Sequence, residues 1–152
     1  MKKVSFILAI LVMLALTACG GGDGDSDDAG SSGGSQSSIS VIMNDIYFGD
    51  SQDNVDNPPS WSVNTGDSVT VQAENKGVLE HNWAIVKADA TLPDTITDAA
   101  AVADMILFDM GGIVGGDSGS KTFTAPAPGE YTVICTIAGH YPVMQGRLVV
   151  GE

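Results

Sequence analysis

The chain has 152 residues, 43% of them apolar, and a formal net charge of −13 at pH 7. That length allows one domain of ordinary size plus terminal segments. A balance of 19 acidic to 6 basic residues excludes a nucleic-acid partner, whose phosphates demand the opposite sign.

Lys2 and Lys3 precede an apolar run, Val4 to Leu16, that is too short to cross a bilayer comfortably; this is the pattern of an export signal. The run ends in Leu16-Thr17-Ala18-Cys19, which resembles the lipobox of bacterial lipoproteins. The resemblance implies a signal peptide over residues 1–18 and acylation of Cys19. The chain is then expected to be exported and lipid-anchored to a bacterial membrane, facing the periplasm or the cell exterior. Residues 19–38 follow as a Gly/Ser/Asp segment without a large apolar side chain. Such a segment cannot bury enough surface to offset its ordering entropy, so a disordered tether is expected, with a reach of roughly 25 Å.

Residues 39–152 form the expected domain, with 15 acidic side chains against Lys76, Lys87, Lys121 and Arg147. The charge fits steering toward a basic partner, a saline habitat or simple solubility, and does not separate them. Ser40–Met43, Trp61–Val63, Val69–Ala73, Trp83–Val86, Lys121–Thr124, Tyr131–Ile134 and Arg147–Val150 alternate apolar and polar side chains between Gly, Pro and Asn turns. Half-buried strands have this period. About seven or eight strands in a domain of this size predict an all-β, Greek-key antiparallel sandwich. Thr97 to Ile106 is Ala-rich and lacks Gly and Pro, which predicts one short helix between strands, capped by Thr97 or Asp98.

The chemistry concentrates in Cys135-Thr-Ile-Ala-Gly-His140-Tyr-Pro-Val-Met144. With Cys19 carrying lipid, Cys135 is a lone thiol outside the cytosol, and ligation to a metal is what would protect it. One thiolate, one imidazole and one thioether on a single loop are three of the four donors of a mononuclear copper electron-transfer site. That site takes two His and one Cys in a plane and a weak axial Met. His81 is the only other histidine in the chain, so the donor set closes on His81, Cys135, His140 and Met144. Cys135 follows a strand, which fixes it, while Gly139 permits a tight turn and Pro142 stiffens the return. Asn82, next to His81, is placed to hydrogen-bond Thr136 and tie the two halves of the site together.

Cys-x4-His-x3-Met with an upstream His-Asn resembles the cupredoxins, the small blue copper proteins of the plastocyanin/azurin family. The neighbouring residues Thr124 to Tyr131 and Cys135-Thr136 look like those of auracyanin and azurin. The resemblance spans most of residues 39–152 and is strongest from Phe123 to Val150. It implies one copper ion cycling between Cu(II) and Cu(I), with His81, Cys135 and His140 equatorial and Met144 axial. It also implies a weak axial approach by the backbone carbonyl of Glu80, where azurins have glycine. The structural disulfide of azurin has no counterpart here, and Ile137-Ala138 replaces the frequent Phe-Pro.

The function expected is membrane-tethered, one-electron shuttling between redox protein donors and acceptors. Those partners would be a c-type cytochrome or a membrane respiratory or photosynthetic complex, met through an apolar patch at Tyr141, Pro142 and Val143. A monomer is expected. No base stands beside a nucleophile in a catalytic pattern, so the chain is read as no enzyme; Cys135 and His140 lack the third group a hydrolase needs to orient them. The alternative is a periplasmic copper carrier, which favours open, exchangeable Met- or Cys-rich sites over this mixed set. A redox enzyme of the same fold would need an open coordination position, which Met144 fills.

Overall fold

In a computed structural model, residues 34–152 are described, so the expected signal peptide, Cys19 and the expected tether up to residue 33 lie outside the described residues. The strands are β1 (Gln36–Asn44), β2 (Tyr47–Phe48), β3 (Ser60–Asn64), β4 (Ser68–Asn75) and β5 (Ala84–Val86), then β6 (Ile106–Asp109), β7 (Ser118–Thr124), β8 (Gly129–Ile134) and β9 (Gln145–Gly151). Short 3-10 helices cover Gln52–Val55 and Ala99–Met105.

Two sheets face each other, ordered β2-β1-β4-β7 and β3-β9-β8-β5-β6. The chain crosses between the sheets repeatedly, while β1–β2, β5–β6 and β8–β9 pair within one sheet. The strands are not all antiparallel, however: β1 runs parallel to β4 and β3 parallel to β9. Both pairs join strands separated by a crossover, a relation that hydrophobic period alone does not encode. β1 also starts at Gln36, before the expected boundary at Ile39, because Gln36, Ser37 and Ser38 pair with Ser68, Val69 and Thr70. The ladder uses backbone groups, so polar side chains suffice there.

Alternation sets the core. Val41, Met43, Val69, Val71 and Ala73 of one sheet meet Val63, Trp83, Ile85, Val133 and Leu148 from the other, all buried. Trp83 is fully buried and packs edge-on against Trp61 and Phe108. β5 breaks the alternation, with Ala84, Ile85 and Val86 all buried. Its outer face is covered: Ala84, Val86 and Ile134 pack against Ile96 and Val102 of the crossover between β5 and β6. The expected helix lies on that crossover. It is a 3-10 helix, Ala99–Met105, with Asp98 as N-cap accepting from the N–H of Ala100 at 2.9 Å. It stops before Ile106, which is the first residue of β6 rather than helical. β6 pairs with β5, and that edge pairing overrides the helical spacing of Met105 and Ile106.

Candidate metal centre

The site is built at one end of the sandwich from three chain segments. Cys135 directly follows β8, and its N–H donates to the carbonyl of Met144 at 3.1 Å. The N–H of Met144 in turn donates to the carbonyl of His140 at 2.8 Å, and that of His140 to Ile137 at 3.1 Å. The loop is therefore closed on itself by its own backbone. Gly139 has φ +80°, in the left-handed region where a side chain is strained, and its N–H donates to Ile96 at 2.8 Å. Glycine at this point lets the chain reverse just before His140.

His81 lies outside the named strands. It precedes β5 and forms an isolated bridge with Ile113: N–H to carbonyl at 3.1 Å one way and 2.8 Å the other. Asn75 stabilises this bridge from behind, its Nδ2 donating to the carbonyls of Leu79 and Ile113, both at 2.8 Å.

These segments bring the donors together. Nδ1 of His81 lies 3.1 Å from Nδ1 of His140, which lies 3.4 Å from Sγ of Cys135. The ligand atoms of the three residues all fall within 4.8 Å of one another, and all three residues are buried. Met144 has no exposed surface and belongs to the same apolar cluster as Cys135, Ile113 and Ile137. Cys135 and Met144 thus belong to the apolar core, and the two imidazoles meet the Cys135 sulfur at its edge.

Asn82 ties the halves together. Its Oδ1 accepts from the N–H of Thr136 at 2.7 Å, and its Nδ2 donates to Thr136 Oγ1 at 2.8 Å and to both carboxylate oxygens of Asp109 at 3.0 Å. Asp109 thereby fixes which way the amide points. Glu80 is exposed and its carboxylate lies over Gly112, turned away from the interior. Pro142 and Val143 are exposed, but Tyr141 is half-buried against the second apolar cluster and does not extend the patch.

Sequence reading missed Asp45. Its Oδ1 stands 3.3 Å from Nε2 of His81, and its carboxylate accepts from the N–H groups of Val78 and Leu79 at 3.0–3.1 Å. Those backbone donors, Leu79 first, hold its pKa below 3.8. An acidic residue at a strand end gave no signal among so many others.

Burial governs the electrostatics of the donors. Desolvation pushes the Cys135 thiol from 9.0 up to about 11, and the N–H groups of Asn82 and Ile137 counter it only in part. Desolvation also lowers the pKa of His140 below 6.5, helped by the nearby His81. The lowered value favours the neutral His140 imidazole, the form that a metal takes.

Residues 47–151 match the model of the plastocyanin/azurin family of copper-binding proteins. The chain belongs to this family. The donor set fits the copper that the family binds: two imidazoles, a thiolate and a buried thioether in an apolar shell. One copper ion is accordingly the cofactor of this cupredoxin. The chain is 38% identical over 101 residues to auracyanin-A and 37% over 92 residues to auracyanin-B, both of Chloroflexus aurantiacus. The matches cover 59% and 53% of this chain but only 62% and 39% of those relatives, less than two thirds of either. Among solved structures, auracyanin A, a "blue" copper protein of that bacterium, superposes with TM-score 0.58 at 27% identity, over 76% of this chain and 99% of its own. Auracyanin from Roseiflexus castenholzii gives TM-score 0.59 at 26% identity, over 78% of this chain and 100% of its own. Among the described residues, no helix is long and apolar enough to cross a membrane.

Proposed function

We propose that this cupredoxin transfers single electrons, and that His81, Cys135, His140 and Met144 are the residues that would hold its copper. Bound copper supplies the one-electron couple, Cu(II)/Cu(I). The observation that carries the reading is the convergence of both histidines and the one thiol of the described domain in a buried cluster. The chain's own residues supply rigidity. The backbone bonds among Cys135, Ile137, His140 and Met144, and the Asn82–Thr136 link, hold the donors in one geometry. Donors that cannot relax keep the cost of changing oxidation state small.

Closure also argues against a copper carrier, since metal exchange needs ligands that can swing out. Pro142 and Val143, exposed beside His140, are the expected contact for redox protein partners such as a c-type cytochrome or a respiratory or photosynthetic complex. Small apolar patches suit brief, low-area encounters. The net charge of −13 is compatible with a basic partner surface. Cys19 in its lipobox-like setting supports a lipid anchor on an exported chain, with the Gly/Ser/Asp segment as tether.

Spectroelectrochemical titration of the copper-loaded chain tests this reading. Reversible uptake of one electron per copper, with slow copper loss to a chelator, is expected. Rapid loss to the chelator without reversible redox cycling would identify a carrier instead.

A further inference from the structure

Resting on the copper reading above, we propose that Asp45 is a positioning residue for the metal centre: it fixes the tautomer of His81 and lowers the reduction potential of the bound copper. His81 has two ring nitrogens with opposite duties. Nδ1 faces His140 and the sulfur, whereas Nε2 faces outward to Asp45 Oδ1 at 3.3 Å. A carboxylate can only accept, so Nε2 carries the proton and Nδ1 presents its lone pair. His81 is fully buried, so water does not compete for Nε2.

The carboxylate itself is held in place. Oδ1 accepts from Val78 N–H at 3.0 Å and Leu79 N–H at 3.0 Å, and Oδ2 from Val78 N–H at 3.1 Å. Gly77 leaves room for it: a Cβ there would collide with Asp45 Oδ1. Among the described residues His81 is the only ion-pair partner of Asp45, so no lysine or arginine neutralises it.

A carboxylate behind a ligating imidazole raises the basicity of that ligand. Its negative charge also stabilises the more positive oxidation state. Both effects favour Cu(II) over Cu(I). The Asp45 side chain is 36% exposed, so solvent screening limits the effect to about tenfold in the equilibrium between the two states.

The test uses the full chain, copper-loaded, as wild type, Asp45→Asn and Asp45→Ala. Asn keeps an acceptor oxygen and removes the charge, and so preserves the turn should Ala disturb folding. The potential is expected to rise in both variants, for Asn by about tenfold in the equilibrium, or about 59 mV for one electron. In the NMR spectrum of the Cu(I) protein, a protected His81 Nε2–H is expected in wild type and Asn and lost in Ala. A blue wild type whose potential matches that of Asp45→Asn would overturn this inference alone. A wild type without a thiolate-to-copper band would overturn the copper reading as well.

Discussion

Nδ1 of His81 and Nδ1 of His140 face each other at 3.1 Å, although 59 residues separate them in the chain. Two nitrogens this close share one proton at most. Nε2 of His81 is committed to Asp45, so His81 turns the lone pair of Nδ1 toward His140. Binding of a metal must displace the proton on Cys135.

Metal binding should therefore release protons. The Cys135 thiol, at about 11, is fully protonated at pH 7 without metal, while the bound form is a thiolate. Copper(I) affinity is expected to rise about tenfold per pH unit between pH 7 and 9 from this group alone. Calorimetry in buffers of different ionisation enthalpy should count about one proton from the thiol. A pH-independent affinity would contradict the buried, protonated thiol.

The metal-free protein should be most stable between about pH 7 and 9. The pKa of His140 is lowered on folding, so the unfolded chain takes up a proton below its ordinary 6.5 that the folded chain resists, and stability falls as pH drops. The Cys135 pKa is raised, so the unfolded chain loses its proton above 9.0 while the folded chain holds it to about 11, and stability falls again as pH rises. Thermal melts across this range should show a plateau with both flanks. Copper should remove the alkaline flank by holding the thiolate.

Asn82→Ala removes the bonds to Thr136 and Asp109 and strands the buried N–H of Thr136. An unsatisfied buried donor costs about 1–3 kcal/mol. Chemical denaturation of the metal-free protein should show that loss, and the copper-loaded protein should show a changed visible spectrum as the two halves of the site loosen. Unchanged stability would mean that the link is dispensable.

Met144→Leu conserves volume in a fully buried position, so the fold should survive at a cost below about 1.5 kcal/mol. Removing an axial donor destabilises Cu(II) more than Cu(I). The variant should stay blue with a higher potential, measured by voltammetry. A lower potential would place Met144 outside the metal's reach.

The donors were legible because each type is scarce: two histidines in the whole chain and one thiol beyond Cys19 leave little choice. Asn82 was legible through its place beside His81. Asp45, Asn75 and Asp109 were not, since their roles arise only when β1, β4 and β6 end near the same point. Residue type says little among 19 acidic side chains. The strands of the core could be read from their period, but the parallel pairing of β1 with β4 and of β3 with β9 could not. Period two reports which face is buried and is silent on the neighbour's direction. β6 escaped because Met105 and Ile106 also suit a helix, and only pairing with β5 decides between them.

The central claim is that one copper ion takes His81, Cys135, His140 and Met144 together. The visible spectrum of the oxidised, copper-loaded chain, recorded beside that of Cys135→Ser, tests it most directly. An intense thiolate-to-copper band at one copper per chain, absent from the serine variant, is predicted. A colourless wild type under oxidising conditions, or a serine variant with the same colour, would contradict the account.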